Sequence, residues 1–147
     1  MRRMGARYTT VGQVFVVRWE GQLTLGDQEA AVRALREARA RMPGDAVMVA
    51  ILGADLEPPS AEARKGGLDV LRKALGLAVA LEIVVGGRGL LGTLQRSTAR
   101  TAVLLAPDLR GRVHVHERLE DALTHAATLV PLDRAALVAA LDRDKLR

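Results

Sequence analysis

The sequence predicts an α/β domain: a mixed five-stranded sheet flanked by helices, with an extra helix at the C-terminal end. Three observations carry this. Val47, Met48, Val49, Ala50, Ile51 and Leu52 form an unbroken apolar run. A strand built from it cannot alternate inside and outside, so it must be covered on both faces, as in sheets sandwiched by helices. Strand-like and helix-like stretches then alternate, and each strand-helix-strand crossover implies parallel neighbours. Only the first two strands are joined by a tight turn, which implies one antiparallel edge. A pocket in such a sheet opens at the carboxyl end of the central strand, near Asp55.

Taken in order, residues Arg7 to Gln13 carry β-formers and Val14 to Trp19 is a strong strand, with Gly12 and Gln13 as the turn of a hairpin. Thr24 and Asp27 have the spacing of a capping box, in which each side chain satisfies the other's orphan amide. Along the helix that follows, Ala31, Leu35, Ala38 and Met42 share one face. Glu29, Arg33, Glu37 and Arg41 share another, a solvated and self-paired surface. Pro43 and Gly44 stop it. After the central strand, Ser60 is a good N-cap, with Glu62 in the first turn, and Leu68, Leu71 and Leu75 give the second helix its buried face. Gly66 and Gly67 inside that helix predict close packing or a kink, and Gly76 ends it. Val79 to Val85 is the fourth strand. Leu91, Leu94, Thr98, Ala102 and Leu105 then recur at helical spacing up to Pro107. Val113 to His116 alternates like an edge strand, Leu119 to Val130 is a helix, and the last helix starts after Pro131 with Leu137, Val138 and Leu141 on one side.

A chain of 147 residues is expected to form a single domain over residues 1–147, with residues 1–7 as a flexible tail and 132–147 as a helical extension. Hydrophobic residues make up 49% and charged residues 27%, near the globular average. Aromatic residues are only 2%, so the core must be filled by aliphatic side chains and bases have almost no platforms on which to stack. The net charge of +5 is mixed with acids through the same helices, which favours a salt-bridged surface over a basic groove. No nucleic-acid partner is therefore expected. Without cysteine there are no disulfides, thiolate metal sites or thiol nucleophiles. No apolar stretch approaches the roughly 20 residues that span a bilayer, so no membrane insertion and a cytoplasmic location are expected.

Val14-Phe15-Val16-Val17-Arg18-Trp19-Glu20-Gly21, the helix opening at Thr24-Leu25-Gly26-Asp27, the Ala46 to Leu52 strand, the Pro58-Pro59-Ser60-Ala61-Glu62-Ala63-Arg64 helix start and Glu120-Asp121-Ala122-Leu123 follow one another at a spacing that resembles the SpoIIAA-like family, which has a STAS-like fold. The resemblance covers about residues 8 to 130 and implies a STAS-like domain with a small regulatory or ligand-binding role. STAS anti-sigma-factor antagonists carry a phosphorylatable serine in an Asp-Ser-Gly type motif at a helix start, and Ser60 occupies the similar place. Here two prolines precede it and alanine follows, so that motif is not reproduced, and an N-cap explains the residue.

The candidate sites are few. Asp55, Ser60 and Arg64 form a possible switch or ligand loop, in which Arg64 or Lys65 can pair with a phosphate on Ser60. Gly87, Arg88 and Gly89 open a GxGxxG match that runs to Gly92, with Asp108 about 20 residues on. It falls on the fourth strand and not on the first strand of a dinucleotide unit, which leaves it as an anion-binding turn. His114 and His116 lie on one side of a strand and can share a metal, with Glu117 or His125 as third ligand. Without cysteines or clustered carboxylates, however, neither metal nor cofactor is expected. Ser60 and Ser97 sit in no nucleophile elbow, so no catalytic residue is assigned. The expectation is a non-enzymatic, STAS-like regulatory module acting on an unidentified protein partner, as a homodimer whose second copy covers the last helix. The alternative is a carrier domain for a small apolar or anionic ligand, a lipid or nucleotide among them, held against the sheet. A deep pocket discriminates the two.

Overall fold

A computed structural model describes residues 5–53, 57, 60–86, 96–97, 100 and 106–147. Strands β1 (Gly5–Val11), β2 (Val14–Glu20), β3 (Val47–Leu52), β4 (Ala80–Val85) and β5 (Val113–His116) form one sheet in the order β1-β2-β3-β4-β5. β1 pairs antiparallel with β2, and every later neighbour is parallel. The hairpin turn is the two residues Gly12 and Gln13, and Gly12 supplies the left-handed conformation (φ +57°) that a two-residue turn needs at its first central position. Gly5, Ala6 and Arg7 pair with Glu20, Trp19 and Arg18. The expected flexible tail over residues 1–7 is thus strand from Gly5 onward, because β2 offers a full seven-residue edge to pair with.

Helix α1 (Leu25–Arg39) and helix α2 (Ala61–Leu75) both cover one face of the sheet. α1 opens on the expected capping box, with Asp27 N donating to Thr24 Oγ1 at 3.1 Å and Thr24 N donating to Asp27 Oδ2 at 3.0 Å. Ser60 caps α2 by accepting from Ala63 N at 3.1 Å. Gly66 answers for close packing and not for a kink: a Cβ there would lie 2.9 Å from Leu25 Cδ1, so α1 and α2 approach where the side chain is missing. One expectation fails on α2. Leu68 is 38% exposed, and the buried face is Ala63, Val70, Ala74 and Leu75. Leu75 is buried as expected, and Leu71 packs partly buried against the same core.

The opposite face carries Val14, Val16, Val47, Val49, Ile51 and Val84, packed under α3 (Leu119–Ala126) and α4 (Arg134–Arg143). The strand β3 is therefore covered on both sides, as its composition requires. α4 does not present its apolar stripe to solvent: Leu137, Leu141 and Leu146 are fully buried in the chain's own core. Arg7 and Arg18 donate to the carbonyls of Lys145 and Leu146, holding the C-terminal turn against β1 and β2. The stripe expected to call for a second copy of the chain is satisfied internally, which removes the physical reason for a homodimer.

Candidate functional site

Two features stand out on opposite faces of the sheet. The first is a cavity of about 160 Å³ between the sheet and the α1-α2 pair. Its floor is Trp19 of β2, Met48, Ala50 and Leu52 of β3, and Leu81 and Ile83 of β4. Its roof is Leu23, Gln28 and Val32 on the α1 side and Val70, Leu71 and Ala74 of α2. Trp19 and Leu52 are register partners at the carboxyl ends of β2 and β3, which is where open parallel sheets hold ligands. The small residues that α2 and β3 place there, Ala74 and Ala50, leave the space unfilled.

The lining is apolar except at two points. Trp19 Nε1 and Gln28 Oε1 are buried, and neither has a hydrogen-bond partner among the described residues. One is a donor and the other an acceptor. Leaving such groups unpaired costs about 1–3 kcal/mol each, and more than nine in ten buried polar groups in proteins are paired. The cavity thus combines an apolar wall with one unpaired donor and one unpaired acceptor.

The second feature is a side-chain cluster under α3. Glu82, in the middle of β4, is fully buried. Its register partner on β5 is His114, and Val84 partners His116, so strand alternation places Glu82, His114 and His116 on one face. α3 then brings His125 onto them. His125 Nδ1 lies 2.6 Å and His116 Nε2 2.9 Å from the same Glu82 Oε1, and the rings of His114 and His125 meet at a centroid distance of 4.2 Å. Glu82 Oε2 is buried without a partner among the described residues.

Of the residues singled out from the sequence, Asp55, Gly87, Arg88 and Gly89 lie outside the described residues. Ser60 is a helix cap, and the start of Arg64's turn is the ordinary helical bond from its amide to the Ser60 carbonyl at 3.0 Å. Asp108, the acid that would complete a dinucleotide fingerprint, pairs instead with Arg72 at 2.8 Å. That guanidinium holds its carboxyl below the ordinary value of 3.8. The histidine set is corrected in two members: the ligand atoms that converge are those of Glu82, His114 and His125, so His116 drops out of the expected pair and His125, not Glu117, joins His114. Glu117 turns outward, 68% exposed and 3.9 Å from Arg96, whereas Glu82 takes the place expected of it. Glu82 had a signal in the sequence, being the lone charge inside a covered strand.

The sheet order, the single antiparallel edge and the helices on both faces define a SpoIIAA-like α/β fold. The chain is similar to an uncharacterized protein of the DUF3478 family with a SpoIIAA-like fold from Shewanella loihica PV-4, with a TM-score of 0.60 and 22% sequence identity, over 84% of this chain and 95% of that one. At that identity the likeness concerns the fold. No family model matches the chain, and no curated protein matches it. Among the described residues, no helix is long and apolar enough to cross a membrane.

Proposed function

We propose that the protein is a non-enzymatic carrier or sensor domain for a small, largely apolar molecule bearing one hydroxyl, amide or carboxyl group. The observation that carries this reading is the cavity with its unpaired Trp19 Nε1 and Gln28 Oε1. An apolar cavity of about 150 Å³ is enough to take a benzene-sized guest, and the 160 Å³ here is of that order. A ligand hydroxyl can accept from the indole N–H and donate to the amide oxygen, which relieves both orphan groups in one step and fixes which end enters. The apolar wall supplies the affinity at roughly 25 cal/mol per Å² buried. The competing reading, a module working through protein contacts, has no comparable feature: the exposed large apolar side chains among the described residues are Leu68 and Leu129, which carry no patch by themselves.

A thermal-shift series with short-chain alcohols and carboxylic acids tests the proposal. Ligand that binds only the native state raises stability by RT ln(1 + [L]/Kd), about 2.7 kcal/mol at a hundredfold excess over Kd. Hexanol is expected to raise the melting temperature of the native protein and to have no effect on Ala74→Leu, whose larger side chain occupies the cavity. Equal responses of the two proteins would refute the assignment.

A further inference from the structure

We infer that Glu82, His114 and His125 form a binding site for a divalent transition metal of the zinc class, on the face of the sheet opposite the cavity. The three residues each offer a ligand atom, and these atoms lie within 4.8 Å of one another. Small side-chain rotations bring imidazole nitrogens and a carboxylate oxygen to the roughly 2.0–2.2 Å at which zinc holds them. Two imidazoles and one carboxylate, with no thiolate, suit zinc, cobalt, nickel or copper and not calcium or magnesium, which take all-oxygen shells.

The buried carboxyl group is the observation that points to an ion. Glu82 is fully buried, yet only Oε1 is partnered, by His116 and His125, while Oε2 has no partner among the described residues. A hydrogen-bonded Glu-His pair alone needs only one histidine, and it leaves His114 in a tilted ring contact with His125, with no polar partner among the described residues. A cation uses the second oxygen and gives His114 its function. His116 then stays outside the coordination shell and holds the carboxylate by its 2.9 Å contact, the supporting role that a second-shell partner plays in metal sites. Access comes from the α3 side, where His125 is about one-third exposed and leaves room for a water or an exogenous ligand in the fourth position. The ligands come from β4, β5 and α3, so an ion there clamps the edge strand to the sheet and to the helix above it.

The test uses the full, untagged chain stripped with chelator and titrated with Co²⁺ and then Zn²⁺. The expected result is one equivalent of Co²⁺ with visible d-d absorption of a four-coordinate site, displaced by Zn²⁺, and a melting temperature that rises with Zn²⁺. His114→Ala and His125→Ala should abolish the spectrum. His116→Gln should retain it with metal affinity weakened by about 10–100-fold. Glu82→Gln should abolish the spectrum as well; should that variant fail to fold, His114→Ala decides alone, since His114 is only partly buried on an edge strand. Absence of stoichiometric binding in the unmodified protein, or binding unchanged in His114→Ala and His125→Ala, overturns the inference. Neither result bears on the cavity, whose occupants are tested separately.

Discussion

Replacing Leu141 with alanine tests whether the C-terminal helix belongs to the core of its own domain. The side chain is fully buried on the α3-α4 face, among Val14, Val16 and Val47 of the sheet's inner strands. At about 0.8 kcal/mol per buried methylene, the lost transfer energy is roughly 2.4 kcal/mol, and the cavity left behind brings the total to about 3–5 kcal/mol. Leu68→Ala is the internal control. Leu68 is 38% exposed although it falls at helical spacing with Leu71 and Leu75, and its truncation should stay below about 1 kcal/mol. In a domain of 147 residues the first change should lower the melting temperature by roughly 6–12 °C or more and the second by only a degree or two. Chemical denaturation at several protein concentrations checks both. A midpoint for the unmodified chain that moves with concentration, or equal losses in the two variants, would refute internal packing of α4 and restore the second copy as its cover.

Three further outcomes follow from local geometry. Gly67→Ala should stabilise by about 0.5–1 kcal/mol, because an added Cβ meets nothing within 4 Å and alanine is the better helix former; Gly66→Ala should gain less or lose, because Leu25 must give way. Thr24→Ala removes one half of the α1 capping box and should destabilise by about 1 kcal/mol in urea titration. The Asp108 carboxyl is lowered first by its hydrogen bond to Arg72. Its contribution to stability is therefore fully present above the ordinary value of 3.8 and is lost as pH falls through the lower folded-state value. An NMR titration of Asp108 should show the depressed midpoint, and Arg72→Ala should return it toward 3.8.

Much of the architecture was legible in the sequence because it rests on local rules. An apolar run without alternation, a Gly12 turn, a Thr24-Asp27 box and a Ser60 cap each specify their own conformation, and the structure realises all four. The misreadings came where non-local packing decides. Leu68 has the right helical spacing but the wrong azimuth, since the face of α2 is set by its approach to α1 through Gly66. The stripe on α4 was visible, but not that the β1-β2 side of the sheet lacked a cover. Strand β5 announced its paired histidines, whereas their carboxylate partner came from β4 through strand register, which the sequence does not display. The sequence pointed to the carboxyl end of the central strand as the place for a pocket, but not to the residues that line this cavity. The cavity arises because alanines from β3 and α2 meet across the sheet-helix interface beneath the Trp19 indole.

The central claim is that this cavity binds a small apolar molecule through the Trp19 N–H and the Gln28 amide oxygen. Trp19 is the single tryptophan of the chain, so its indole N–H gives one isolated cross-peak in a ¹H–¹⁵N correlation spectrum and reports on this cavity alone. Titration of the labelled protein with hexanol should shift that peak downfield to saturation as the N–H acquires an acceptor, and Ala74→Leu should show no such shift. An indole resonance that stays in place at hexanol concentrations near its solubility limit, or moves identically in Ala74→Leu, would contradict the account.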